Sequence, residues 1–237
     1  MFTAHKLQGA GGVGGDSFEF IGSTWQTSTT TALLSEAPQA GDIILFLASS
    51  EAATSMSFPA SITSLGQQGI IWNGDPYYLG TINAVGYKVA DGTEGTTISG
   101  FSFSASGFLG VLVCRIATAI YRPSFSISSI VPTISFYANA SAGGAFSRTL
   151  SSGSQTGDII AFTTVATRIA GYTSFSSPST GIDSQPPLAY DGGGGASGVY
   201  MNLNTVAFNA GEAEDMTSTV GDRSYGIVHA QGFLTVS

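Results

Sequence analysis

Two histidines, His5 and His229, and fifteen carboxylates are the groups available for acid–base chemistry in this chain of 237 residues. A Ser-His-Asp arrangement needs one of those histidines, and the serines near them sit in no Gly-x-Ser-x-Gly elbow. The carboxylates gather in two places, Glu212, Glu214 and Asp215 in "NAGEAEDM" and Asp91 and Glu94 in "VADGTEG". Oxygen ligands collected on a loop suit calcium, but neither spacing is that of an EF-hand, so solvated acidic turns are expected and no metal is assigned. A paired-carboxylate glycosidase would need a cleft that nothing in the sequence announces. "GAGGVG", with Gly9, Gly11 and Gly12, formally matches a dinucleotide fingerprint. It lies before any strand and opens no helix, so it reads instead as a flexible arm and no cofactor is expected. Aromatic residues in irregular segments are the remaining candidates: Trp72, Tyr77 and Tyr78 around "DPYYLG", and Tyr190 in "PPLAYDGGGG". Exposed, such rings stack on sugars or fill a partner's pocket; packed beneath themselves, they only anchor loops.

The elements that must position these groups repeat. "QAGDIILF" begins at Gln39 and "QTGDIIAF" at Gln155, 116 residues later. The same offset carries Leu34-Ser35 onto Leu150-Ser151, the strand-like Phe18–Ile21 onto Ile134–Tyr137, and Gly110-Val111-Leu112 onto Gly226-Ile227-Val228. Segments between these anchors differ freely, as connections between repeats do. The organisation expected is a Gly-rich arm over 1–16, a first repeat over 17–120, a linker over 121–129 and a second repeat over 130–237.

Each repeat has the pattern of an antiparallel β domain: short runs of Val, Ile, Phe, Tyr and Thr between Gly, Pro, Ser and Asp clusters, with no apolar stripe at helical spacing. Strands are expected over 17–22, 27–34, 42–49, 80–90, 95–103 and 107–117, and over 133–138, 145–151, 158–166, 199–208, 215–219 and 223–235. Such strand density suits two tandem all-β sandwich domains, with jelly-roll and immunoglobulin-like topologies both open.

Gly41-Asp42 and Gly157-Asp158 read as turn residues at the start of a core strand, Gly for its permissive backbone and Asp for a side chain that bonds nearby amides. A metal-binding or catalytic role for Asp42 or Asp158 is the alternative. The strand after Asp42, Ile43-Ile44-Leu45-Phe46-Leu47, is apolar at every position, so it needs cover on both faces. Its counterpart softens to Thr163-Thr164, and His229 stands where the first repeat has Val113. The first repeat is therefore expected to pack against a neighbour through 43–47, whether the second repeat or another subunit.

Only 9% of residues are charged, against about 25% in an ordinary domain, and 32 are glycine. A surface so poor in charge implies hydroxyl cover, subunit contacts, or both. A net charge of −8, with two lysines and five arginines scattered along the chain, leaves no basic patch in local sequence and argues against nucleic acid. Cys114 has no second cysteine to bridge and reads as a buried strand thiol. The start lacks a signal-peptide core, and the longest apolar runs, Ile43–Ala48 and Phe108–Cys114, are far shorter than a membrane span. Folding in a cytoplasm is expected, which leaves the sequon Asn139-Ala140-Ser141 unused.

"QAGDIILFLAS", "INAVGYKVADGTEGTTISGF" and the closing "GVLVCRI" together resemble a β-sandwich module of tailed-bacteriophage virion proteins. The matching positions are Gly41, Asp42, Tyr87, Lys88, Val89, Ala90, Asp91, Gly92 and Thr93. The resemblance covers most of the first repeat, and in the second only the Gly157-Asp158 strand start and the last strand. It implies a non-enzymatic virion protein, either a head decoration (cement) protein in contact with the major capsid protein or a tail-associated, host-contacting module beside tail proteins; a homo-oligomer is expected.

Overall fold

The structure is a computed structural model that describes residues 18–27, 30–50, 55–71, 80–104, 108–116, 127, 129–141, 144, 146–151, 158–167, 183–184, 188–191, 198–206, 215–220 and 226–236. Every regular element among them is a strand. The first half contains β1 (Phe18–Thr27), β2 (Thr31–Leu33), β3 (Ile43–Ser50), β4 (Met56–Ser57), β5 (Thr63–Ile71), β6 (Gly80–Val89), β7 (Thr97–Ser99), β8 (Ser102–Phe103) and β9 (Phe108–Ile116). The second contains β10 (Ile130–Asn139), β11 (Phe146–Ser151), β12 (Asp158–Thr167), β13 (Asp183–Ser184), β14 (Leu188–Asp191), β15 (Gly198–Val206), β16 (Asp215–Val220) and β17 (Ile227–Val236).

Each half builds one large antiparallel sheet, and the two sheets have the same order. The first runs β1-β9-β3-β6-β5, the second β10-β17-β12-β15-β13 with β14 also paired to β15. Small two-stranded sheets, β2–β7 and β4–β8 in the first half and β11–β16 in the second, accompany them. The protein is therefore all-β with two antiparallel sheet clusters, and the recurring phrase falls on corresponding central strands, β3 and β12. The strand expected over 95–103 is broken into β7 and β8 at Gly100, which takes φ +100° and donates its amide to the Thr30 carbonyl at 2.9 Å. β5 has no counterpart in the sequence expectation because Gly66, Gln67, Gln68 and Gly69 interrupt its apolar pattern. It is an edge strand, and edges tolerate such composition.

The large sheets stack face to face. Ile43, Leu45, Leu47 and Val85 of the first meet Ile160, Phe162, Ala230, Leu234 and Val236 of the second in one buried cluster. The alternate residues Ile44, Phe46 and Ala48 point the other way, into the first half's own interior, with Ala32, Ile98 and Phe101. β3 is thus buried at all eight positions, which is why no polar residue interrupts Ile43–Ala48. The cover expected for this strand comes from the second half on one face and from the first half's small strands on the other.

The stacking is reciprocal: β3 lies on β12, β6 on β17 and β9 on β15, so each half contributes equivalent strands in opposite order. At one margin β5 lies on β10, where a bulge between Ser64 and Gly66 lets Phe136 approach. Gly66 has φ +126°, and a Cβ there would stand 3.0 Å from the Phe136 ring. The outer edge of β10 carries Pro132, and the Phe136 carbonyl accepts from Arg148 Nη1 at 3.0 Å, two features that discourage a further strand from pairing.

The softer letters of the second half are buried as well. Thr163, Thr164, His229 and Gln231 are fully buried, and β17 is buried along all ten residues despite its polar letters. The recurring phrase also faces differently in the two halves. Phe46 packs on Phe101 of its own half with ring centroids 5.4 Å apart, whereas Phe162 joins the cluster between the halves. Side chains alternate along a strand, so a displacement of one residue exchanges the two faces.

Candidate functional site

The turns at Gly41-Asp42 and at Ala90–Glu94 fold against each other at one end of the first half. Gly41, with φ +92°, donates its amide to the Ala90 carbonyl at 2.9 Å, and Ala90 returns a bond to the Asp42 carbonyl at 2.8 Å. The buried Asp42 carboxylate accepts the Gln39 amide at 2.7 Å, closing the turn from within, the amide-bonding role its sequence context suggested. Gly92, with φ +87°, lies over Ala40, so that a Cβ there would be 3.1 Å from the Ala40 nitrogen. A side chain at that position would separate the two turns.

The acidic pair of "VADGTEG" staples the second turn. Asp91 Oδ1 accepts from the Thr93 amide at 2.8 Å and from Thr93 Oγ1 at 2.6 Å. Glu94 accepts the Asp91 amide at 2.9 Å and the Gly92 amide at 3.0 Å, and Lys88 Nζ meets Glu94 Oε1 at 2.9 Å. The Thr93 hydroxyl and amide hold Asp91 below the usual carboxylate range. Burial pushes Glu94 up, but Lys88 and the backbone amides outweigh it, and the net displacement is downward. Both carboxylates therefore remain charged near neutrality and spend their oxygens on the loop itself.

His229 lies inside the second half. Its Nε2 is 3.1 Å from Thr163 Oγ1, and Phe146 covers the ring at a centroid distance of 5.2 Å. Phe146 stacks in turn on Tyr137 at 5.0 Å, and Arg148 sits over Tyr137 at 5.4 Å while bonding Ser135 Oγ at 2.6 Å. Burial, reinforced by the Arg148 charge, lowers the histidine to about 3, so the ring is neutral. Nδ1 has no hydrogen-bond partner among the described residues. A general base needs a pKa near the working pH and access to a substrate proton, and this ring has neither.

The other residues singled out from sequence are dispersed. Ile43, Ile44, Leu45, Phe46 and Leu47 are fully buried within the chain and present no surface to another subunit. Tyr190 is on β14 opposite Val199, Asp215 begins β16 opposite Ser151, and Cys114 is on β9 opposite Phe20 and Ile43. Gly9, Gly11, Gly12, His5, Trp72, Tyr77, Tyr78, Glu212 and Glu214 lie outside the described residues, as does Gly157. Among the described residues no group of three or more His, Cys, Asp or Glu could hold a metal ion. An open depression of about 300 Å³ lies beside β4, floored by Met56, Phe58, Pro59 and Ile62 and rimmed by Ser64 and Gln67.

A polar group between the sheets has no counterpart in the sequence reading. Asn83 is fully buried, and its Nδ2 donates to the Val228 carbonyl at 2.7 Å and the Thr164 carbonyl at 3.2 Å, both in the second half. Its Oδ1 accepts from Ser49 Oγ, which is 3.3 Å from Thr164 Oγ1. The available signal was an asparagine inside the β-rich run "TINAVGYKV", where that residue type is disfavoured unless something holds it. Comparisons with protein-family models, with curated proteins and with solved structures find no match to this chain.

Proposed function

We propose that the chain is a non-enzymatic structural protein of a tailed-phage particle, most specifically a head decoration protein, built from two jelly-roll sandwiches fused back to back. The strand order supports the topology. In each half the first strand pairs with the last and the last with the third, as in a jelly roll, whereas an immunoglobulin-like sheet does not place the last strand between those two. The paired turns at Gly41-Asp42 and Ala90–Glu94 supply the residues on which the likeness to virion modules rests.

The observation that carries the reading is the reciprocal stack: the two large sheets bury their central strands against each other in one apolar cluster, in a chain that carries little charge. In this role the strand Ile43–Leu47 stiffens the stack, and attachment falls to the arm with Gly9, Gly11 and Gly12 and to the turns. Apolar area buried against the major capsid protein, at about 25 cal/mol per Å², adds to the free energy opposing rupture of a pressurised head. The protein is made in the host cytoplasm, assembles as a homo-oligomer and resides in the virion.

Imaging particles with and without the gene tests this. Loss of density repeated regularly over the shell is the expected result. Loss confined to the tail, with impaired adsorption, overturns decoration and transfers the role to a glycan-contacting module using Trp72, Tyr77, Tyr78 and Tyr190.

A further inference from the structure

We infer that the face bearing Ile43, Leu45, Leu47 and Val85 is a pairing surface for a sheet of its own kind, and that Asn83 restricts its partner to the second half of the same chain. The first part rests on the reciprocal stack. Equivalent strands of the two halves meet in opposite order, the arrangement of a two-fold dimer with a self-complementary patch, here contained in one polypeptide. An apolar face of this type is indiscriminate: the corresponding face of a second copy offers similar area and similar residues. Something must exclude pairing between two first halves, which would link molecules into larger species.

Asn83 has the chemistry for that. It stands opposite Ser49 on the β3–β6 pair, in the same face as Leu47 and Val85, where an aliphatic residue would fit the surroundings. Both hydrogens of its amide are directed at carbonyls on two different strands of the second half, Thr164 on β12 and Val228 on β17. Ser49 and Thr164 complete the group across the interface. Thr164 lies against Ser49, and Val228 stands two pairs further along β12–β17, opposite Ala166, whereas the described β3–β9 pairing ends at Ser49–Phe108; a first half in place of the second therefore has no paired counterpart, among the described residues, of the Val228 carbonyl. Without that acceptor the amide would be stripped of water without full replacement. Each such mismatch shifts the pairing equilibrium by on the order of tenfold. A buried polar residue that selects a partner at some cost in stability acts in the same way in helical assemblies.

The test uses the full chain with a protease site inserted between Ile116 and Ile130, cut after folding and equilibrated before native mass spectrometry. The cut chain with its sequence otherwise unchanged is expected to remain one first half bound to one second half. With Asn83→Val the halves are expected to re-sort, first-half pairs rising at least about tenfold. Retention of mixed pairs alone in Asn83→Val overturns the role of Asn83, and separation of the wild-type halves into monomers overturns the pairing surface. Should Asn83→Val fail to fold, Ser49→Ala removes one member of the group, and complete absence of re-sorting in that variant overturns the selectivity. Nothing in this test depends on where the protein sits in a particle.

Discussion

The first half packs Phe46 on Phe101 inside itself, while the second half turns Phe162, from the same place in the recurring phrase, toward Ile43, Leu45 and Leu47 of the first. Strand order is the same in both halves, yet facing is not. The order depends on which strands pair, a property of the whole half, whereas facing depends on a single residue of displacement. The consequence appears in what each interior contains. The first half encloses Ile44, Phe46, Ile82, Phe101 and Val111, but the second must accommodate Thr163, His229 and Gln231, with Phe146 of β11 over the histidine. The first half has apolar packing and an ion-paired turn; the second encloses a neutral imidazole beside Thr163 and Phe146.

The most damaging test of this contrast is truncation of the two phenylalanines. Phe46→Ala and Phe162→Ala should each cost about 3–5 kcal/mol in denaturant unfolding. Their hydrogen-exchange patterns should differ: Phe46→Ala loosens β2 and β7, whereas Phe162→Ala loosens β3 and β17 together. If Phe162→Ala left β3 protected, the opposite facing of the two phrases would be refuted.

Acid separates the halves next. The unfolded chain protonates His229 below about 6.5, while the folded ring stays neutral down to about 3. Between those values the unfolded state holds more protons, so stability falls as pH falls, approaching about 1.4 kcal/mol per pH unit from this residue. His229→Leu should flatten that slope. Asp91 and Glu94 are displaced downward, so their contribution is present above the ordinary carboxylate range and is lost only as pH falls through their lower folded values. A slope unchanged in His229→Leu between pH 6 and 4.5 would show that the histidine is not held neutral.

Smaller effects test the seams. Gly66→Ala places a methyl group against Phe136 at a positive φ and should cost about 1–2 kcal/mol, measured as a lowered midpoint with unchanged m-value. Lys88→Met removes an ion pair whose side chains are largely covered, leaving Glu94 to the Asp91 and Gly92 amides, and should cost about 1 kcal/mol, with only a modest dependence on salt. A larger loss from Lys88→Met than from Gly66→Ala would make the turn, not the stack, the stronger determinant of the first half.

Much was legible before any fold was known. The Gly41-Asp42 turn, the all-β character, the recurrence at Gln39 and Gln155 and the need for two-sided cover of Ile43–Leu47 follow from local pattern, because turn chemistry and alternation are properties of a few neighbouring residues. The sequence did not disclose β5, whose Gly66 and Gly69 make sense only beside β6 and β10, or the buried fate of His229 and Gln231. Nor did it disclose Asn83, whose partners Thr164 and Val228 lie 81 and 145 residues away. A period of two says that a strand has two faces. Which face meets which sheet is settled by contacts between distant segments, and there tertiary structure alone assigned Phe46 to one interior and Phe162 to the seam between halves.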